Sequence, residues 1–116
     1  MSFERIKRVA FADAAILEAF RQLQEGRFEE KRLADRIAGA IGELKQNPFA
    51  GVAVPRRLWP REYVRRFGID NLRKYDLPDG WRLLYAVHGN EVEIISVILE
   101  WCSHKDYEKR FGYNVG

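Results

Sequence analysis

The segment "LEWCSHKDYEKRFG", Leu99 to Gly112, carries one of the chain's two histidines out of an apolar run and into a polar one. Ser103 followed three residues later by Asp106 has the pattern of a helix N-cap, with Asp in place of the usual Glu or Gln. His104 then becomes the first helical residue and Tyr107 the fourth. Residues three apart share a helix face, so imidazole and phenol lean toward one spot. Backbone N–H groups at a helix start favour a nearby anion. Upstream, Arg73, Lys74 and Arg82 offer cations of suitable reach. A histidine that titrates near neutrality, a tyrosine and two or three cations suit cleavage of an RNA phosphodiester. The 2′-hydroxyl must lose a proton, the phosphorane gains negative charge, and the 5′-oxygen must be protonated as it leaves. Such chemistry needs no metal, and the sequence offers no carboxylate cluster to hold one. It also calls for no cofactor.

The same residues have plainer uses. His104 can be a polar residue at a helix end, and Tyr107 can pack against Cys102 as a hydrophobic staple. Arg82 can pair with Glu93 or Asp79. His88 lies in a turn and has the weaker claim of the two histidines. Cys102 has no base of its own beyond neighbouring His104, so a thiol nucleophile is not expected.

The elements that must position these groups follow from periodicity. "RIKRVAFA" (Arg5–Ala12) reads as a first strand. Asp13 caps a helix whose Ile16, Leu17, Phe20 and Leu23 share a face, and Gly26 stops it. A second helix spans Phe28 to Gln46, with Leu33, Ile37, Ile41 and Leu44 inward and Asn47-Pro48 ending it. So short a link makes the pair an antiparallel hairpin. Pro55 and Pro60 keep Phe49 to Asp70 irregular, a basic loop with one turn around Arg61 to Arg66. The period then changes to two in "NLRKYDL", "WRLLYAVHG" and "EVEIISVILEW". "LPDG" is a proline-initiated turn, and "HGNE" reads as a two-residue hairpin with positive φ at Gly-Asn. The last strand is apolar on both faces and belongs inside the sheet. The order is β-α-α-β-β-β-α, an α+β domain with an antiparallel sheet, a helical hairpin on one face and a short C-terminal helix.

Strand parity separates the faces. Leu83, Tyr85 and Val87 form the bulkier set and should meet the helices, which sends Arg82 to the opposite, open face. Whether Arg73 or Lys74 joins it stays open.

Length and composition bound the remainder. The 116 residues make one domain. Hydrophobic residues at 47% and charged residues at 32% are the balance of a soluble globular protein. Glu93 and Glu100 interrupt the longest apolar run, and the N-terminus lacks an apolar stretch behind its basic residues. Neither a membrane span nor a signal peptide is expected, so a reducing cytoplasm is the expected compartment. The single cysteine excludes an internal disulfide and a Cys/His zinc cluster.

A net charge of +3 hides an uneven distribution. From Arg56 to Lys74 stand Arg56, Arg57, Arg61, Arg65, Arg66, Arg73 and Lys74 against only Glu62 and Asp70. Arginine forks suit phosphate, and Trp59, Tyr63, Phe67 and Tyr75 are interleaved. A solvated loop and strand edge is the commoner explanation of such a run; an RNA-binding face, with Trp81 at its rim, is the sharper expectation.

The stretch "NLRKYDLPDGWRLLYAVHGNEVEIISVILEWCSHKDYEKRFG" resembles the RelE/ParE superfamily of type II toxins, through "WRLLY" after a turn and an apolar strand reading into an H-x-x-Y helix. The resemblance covers Asn71 to Gly112 by motif and the helical hairpin by architecture. It implies a small toxin blocked by a cognate antitoxin. For the RelE-type branch it implies metal-independent cleavage of mRNA in the ribosomal A site. Lys74 and Arg82 fall where that branch holds phosphate, and His104 and Tyr107 where members keep proton-transfer and stacking residues. Asp76 stands where several members carry a second lysine. Two other functions remain: a ParE-like inhibitor of DNA gyrase, which needs no proton-transfer pair, and an inert homologue that only binds its partner.

Overall fold

The computed structural model describes residues 4–112. Its chain order is β1 (Ile6–Phe11), α1 (Ala14–Gln24), α2 (Phe28–Gln46), β2 (Val52–Ala53), a 3₁₀ turn (Arg56–Leu58) and α3 (Arg61–Phe67). β3 (Arg73–Asp76), a second 3₁₀ turn (Pro78–Gly80), β4 (Arg82–Gly89), β5 (Glu93–Cys102) and α4 (His104–Phe111) follow. The expected elements are all present, and the span from Phe49 to Asp70 holds more structure than one turn.

Local capping sets the helix ends. Asp13 accepts a hydrogen bond from Ile16 N at 3.0 Å, and Glu30 reaches back to Arg27 N at 3.1 Å. Ser103 caps α4 by accepting from Asp106 N at 3.2 Å, and Gly112 ends it in the left-handed region at φ 60°.

The sheet runs β1-β5-β4-β3-β2. β3, β4 and β5 form the expected antiparallel meander, but β1 pairs with β5 in parallel, Val9 opposite Ser96. The sheet is therefore mixed rather than antiparallel. The hairpin α1–α2 returns the chain to the same end it left, and β1 docks against the apolar β5 that needs a neighbour on each side. Lys7 and Arg8 on β1 and the two-residue length of β2 blunt the two edges.

The β4–β5 connection also differs from expectation. Gly89 and Asn90 do not take positive φ. Instead the Asn90 side chain accepts from Val92 N and Glu93 N at 2.8 and 2.9 Å, closing a longer turn.

Two cores sandwich the sheet. On one side Phe20, Leu33, Ile37 and Leu44 of the hairpin pack on Leu83, Tyr85 and Ile98. Ile37 and Leu44 are wholly buried, and truncating either to Ala should cost about 2–5 kcal/mol. The other side, expected to be open, is covered: Tyr63 of α3 and Tyr107 and Phe111 of α4 pack on Leu84, Ala86, Leu99 and Cys102. Beyond Leu84 the pairing of β4 with β5 slips by one residue, Leu84 facing Glu100 while Tyr85 faces Ile98. Leu99 is the bulged residue, and Leu99 and Glu100 both turn toward α3 and α4.

Candidate functional site

Register decides which cation stands beside Arg82. Arg73 pairs with Tyr85 and so faces the helical hairpin, whereas Lys74 pairs with Leu84 and Asp76 with Arg82. Lys74, Asp76 and Arg82 thus share the face carrying α4. Arg73 instead donates to the carbonyls of Phe49 and Gly51 at 3.2 and 2.6 Å, fastening the chain ahead of β2.

Arg82 is held from four sides. Nη1 donates to Gly80 O at 2.6 Å, and Nε lies 3.0 Å from Asp76 Oδ1, an ion pair not aligned as a hydrogen bond. Its Nη2 lies 3.4 Å from His104 Nδ1. Its guanidinium carbon sits 5.4 Å from the centroid of the Tyr107 ring, and Lys74 Nζ lies 5.6 Å from the same ring. Lys74 also reaches Asp76 Oδ1 at 3.4 Å.

The Pro78–Gly80 turn brings the imidazole into this group. Asp79 and Gly80 adopt φ of 62° and 80°. A Cβ on Gly80 would stand 3.1 Å from His104 Cβ, so the missing side chain lets the turn lie against the start of α4. Arg36 of α2 pairs with Asp79 and pins the turn from the far side. One helical turn past His104, Glu108 contacts Nε2. With Nε2 donating to that carboxylate, the Nδ1 lone pair is directed at Arg82.

Four residues proposed from sequence, Lys74, Arg82, His104 and Tyr107, therefore converge. Their environments differ. The Arg82 and Lys74 side chains keep 15% and 25% exposure, and that of His104 keeps 53%. Tyr107 is buried and stacks on Phe111 with centroids 4.4 Å apart. It presents ring face, a floor for the two cations.

The other basic residues lie elsewhere. Arg66 pairs with Asp13 at 3.1 Å. Trp81 packs against the hairpin core, on the face away from Arg82. Arg56, Arg57, Arg61 and Arg65 are exposed around α3. His88 is exposed near the far end of β4.

Two site residues were not singled out as partners from sequence: Asp76, which binds both cations, and Glu108, which orients the imidazole. The four-residue spacing from His104 to Glu108 signals the second. A third carboxylate, Glu100, accepts from the Tyr63 hydroxyl and pairs with Arg110 at 2.9 Å beneath α3 and α4. Burial, with Glu100 adding to it, pushes the Tyr63 hydroxyl well above the ordinary phenol range, so it serves as a donor. Burial likewise pushes the Cys102 thiol up to about 11, which removes it as a nucleophile at neutral pH. Among the described residues no helix is long and apolar enough to cross a membrane.

The helical hairpin on a mixed five-stranded sheet, with a basic cluster where β3, β4 and α4 meet, defines a small α+β toxin fold. A family model described as the ParE toxin of type II toxin-antitoxin systems, parDE, matches residues 5–99, and the chain belongs to that family, within the RelE/ParE superfamily. It is the toxin of a type II pair, with a cognate antitoxin as its partner. No curated protein and no solved structure matches the chain.

Proposed function

We propose that this toxin arrests growth by cutting RNA at the Arg82–His104 centre, its substrate being mRNA in the ribosomal A site. The observation that carries the reading is His104 Nδ1 lying 3.4 Å from the Arg82 guanidinium while Glu108 holds Nε2. Orienter, base and anion-binding group stand in sequence, the arrangement that activation of a hydroxyl requires. In the reaction Nδ1 takes the proton of the 2′-hydroxyl, and its oxygen bonds to phosphorus. The bond to the 5′-oxygen breaks, and that oxygen takes a proton from solvent. The products are a 2′,3′-cyclic phosphate and a free 5′-hydroxyl. Arg82 and Lys74 stabilise the charge that builds on the phosphorane, and Tyr107 positions both.

Mapping transcript 5′ ends after induced expression tests the proposal. The parent protein should leave cuts within translated codons, and His104→Ala should reduce them by about 10²-fold or more, the usual contribution of a proton-transfer residue. Undiminished toxicity of a folded His104→Ala protein would overturn it.

A second reading has its own support. The family match ends at Leu99, before α4 begins. A ParE-type inhibitor of DNA gyrase needs neither His104 nor Tyr107, and would leave mRNA intact while DNA breaks accumulate.

A further inference from the structure

Tracing the partners of the arginines separates those around the sheet from those on α3 and the turn before it. At the entry to β1 and along the helical hairpin, the side chains of Arg5, Arg21, Arg27 and Arg32 also meet no carboxylate among the described residues. Around the sheet Arg8, Arg36, Arg66, Arg82 and Arg110 each meet a carboxylate, and Arg73 meets two carbonyls. In the segment from Arg56 to Arg65, by contrast, Arg56, Arg57, Arg61 and Arg65 make no ion pair among the described residues, and all four are exposed. Glu62 is the only acidic residue among them.

Their placement is ordered. Arg61 and Arg65 are one turn apart on α3, a like-charge spacing that works against the helix carrying it. Trp59 Nε1 donates to Val54 O at 2.8 Å, which fixes the indole, and the Arg56 guanidinium carbon lies 4.8 Å from its ring centroid. Arg56, Trp59, Arg61, Val64 and Arg65 line one open recess of about 340 Å³. Tyr63 and Phe67 anchor α3 from beneath by packing into the second core. The result is a rigid base that holds several unneutralised guanidinium groups around an aromatic edge.

From this we infer that the α3 face binds the phosphodiester backbone of a single-stranded RNA, as a docking surface separate from the Arg82 centre. Guanidinium forks match phosphate oxygens in pairs, and a fixed, cation-capped indole supplies a stacking edge for a base without selecting its identity. Arg66 and Arg73, spent on Asp13 and on carbonyls, take no part. The inference supplies the strand-holding half of the RNA reading, and its test separates the two.

The experiment compares the parent toxin, the charge-matched hairpin control Arg21→Gln/Arg32→Gln and the double variant Arg61→Gln/Arg65→Gln for binding of a fluorescein-labelled single-stranded RNA about 16 nucleotides long, across a salt series. Circular dichroism and thermal melting establish that each is folded. The hairpin control, which loses the same charge away from α3, should bind as the parent does. The double variant should bind at least tenfold more weakly in low salt. Its log K against log salt slope should fall by about 1.4, two contacts at ~0.7 each. Equal affinity and equal slope in the folded double variant would overturn the proposal. So would unchanged RNA binding with lost affinity for the cognate antitoxin, which would assign the arginines to a protein interface.

Discussion

Asp76 faces Arg82 across the β3–β4 ladder, its carboxylate 3.0 Å from the arginine Nε and 3.4 Å from Lys74 Nζ. One acidic group therefore draws on both cations that the proposed reaction needs. An incoming phosphate must compete with it. Asp76 keeps 62% side-chain exposure, so the pairings are screened by solvent and can be displaced.

Replacing Asp76 by Asn keeps the shape and removes the charge. Affinity for a single-stranded RNA should rise about two- to fivefold at low salt, the size of one exposed ion pair. The gain should vanish at high salt, where screening already weakens the pairing. Titration of parent and Asp76→Asn proteins at two ionic strengths checks this. An unchanged affinity would show that the carboxylate does not compete.

Tyr85 has no exposure, and its hydroxyl donates to Pro48 O at 2.8 Å while accepting from Gly51 N at 3.0 Å. These bonds tie the end of α2 and the entry to β2 onto the sheet centre. Tyr85→Phe leaves both backbone groups without that partner and should lower the unfolding free energy by about 1–3 kcal/mol. Urea denaturation with an unchanged m value would confirm a simple loss of stability.

Ser96 is wholly buried on β5 between Val9 and Val87, and its hydroxyl has no hydrogen-bond partner among the described residues. Ser96→Ala removes an unsatisfied group without adding volume. The variant should melt at a higher temperature, with a gain of about 1 kcal/mol. A lower melting point would mean that the hydroxyl is satisfied in solution.

The Cys102 thiol, pushed up to about 11 by burial, stays protonated well above neutrality in the folded protein. Because its folded value lies above the ordinary one, the folded state resists ionisation of this group. That raises no cost at neutral pH, but stability falls once pH exceeds the unfolded thiol range of ~8.5. A thiol reagent at pH 8 should label native protein far more slowly than protein in denaturant. Equal rates would place the thiol at the surface.

Features governed by neighbouring residues were legible from the chain alone. The bounds of α2, the caps at Asp13 and Ser103, and the inward set Leu83, Tyr85 and Val87 matched the observed structure, since each depends on contacts a few residues away. Features that depend on distant partners were not. Arg73 and Lys74 are adjacent and alike in sequence, and only pairing with Tyr85 and Leu84 sends one to the hairpin and the other to Arg82. The parallel docking of β1 on β5 and the covering of the second sheet face by α3 and α4 are long-range choices of the same kind.

The sequence by itself determined the long helices, the main strands, the sheet face that meets the hairpin and the family, because periodicity, capping and turn chemistry act over short stretches of chain. Tertiary structure alone decided which charges meet across elements. Asp76 beside Arg82 arises from strand register, and His104 beside Arg82 from the seating of α4 against Gly80. Electrostatic pairing depends on separations of a few ångströms between side chains, and the order of residues does not set those separations.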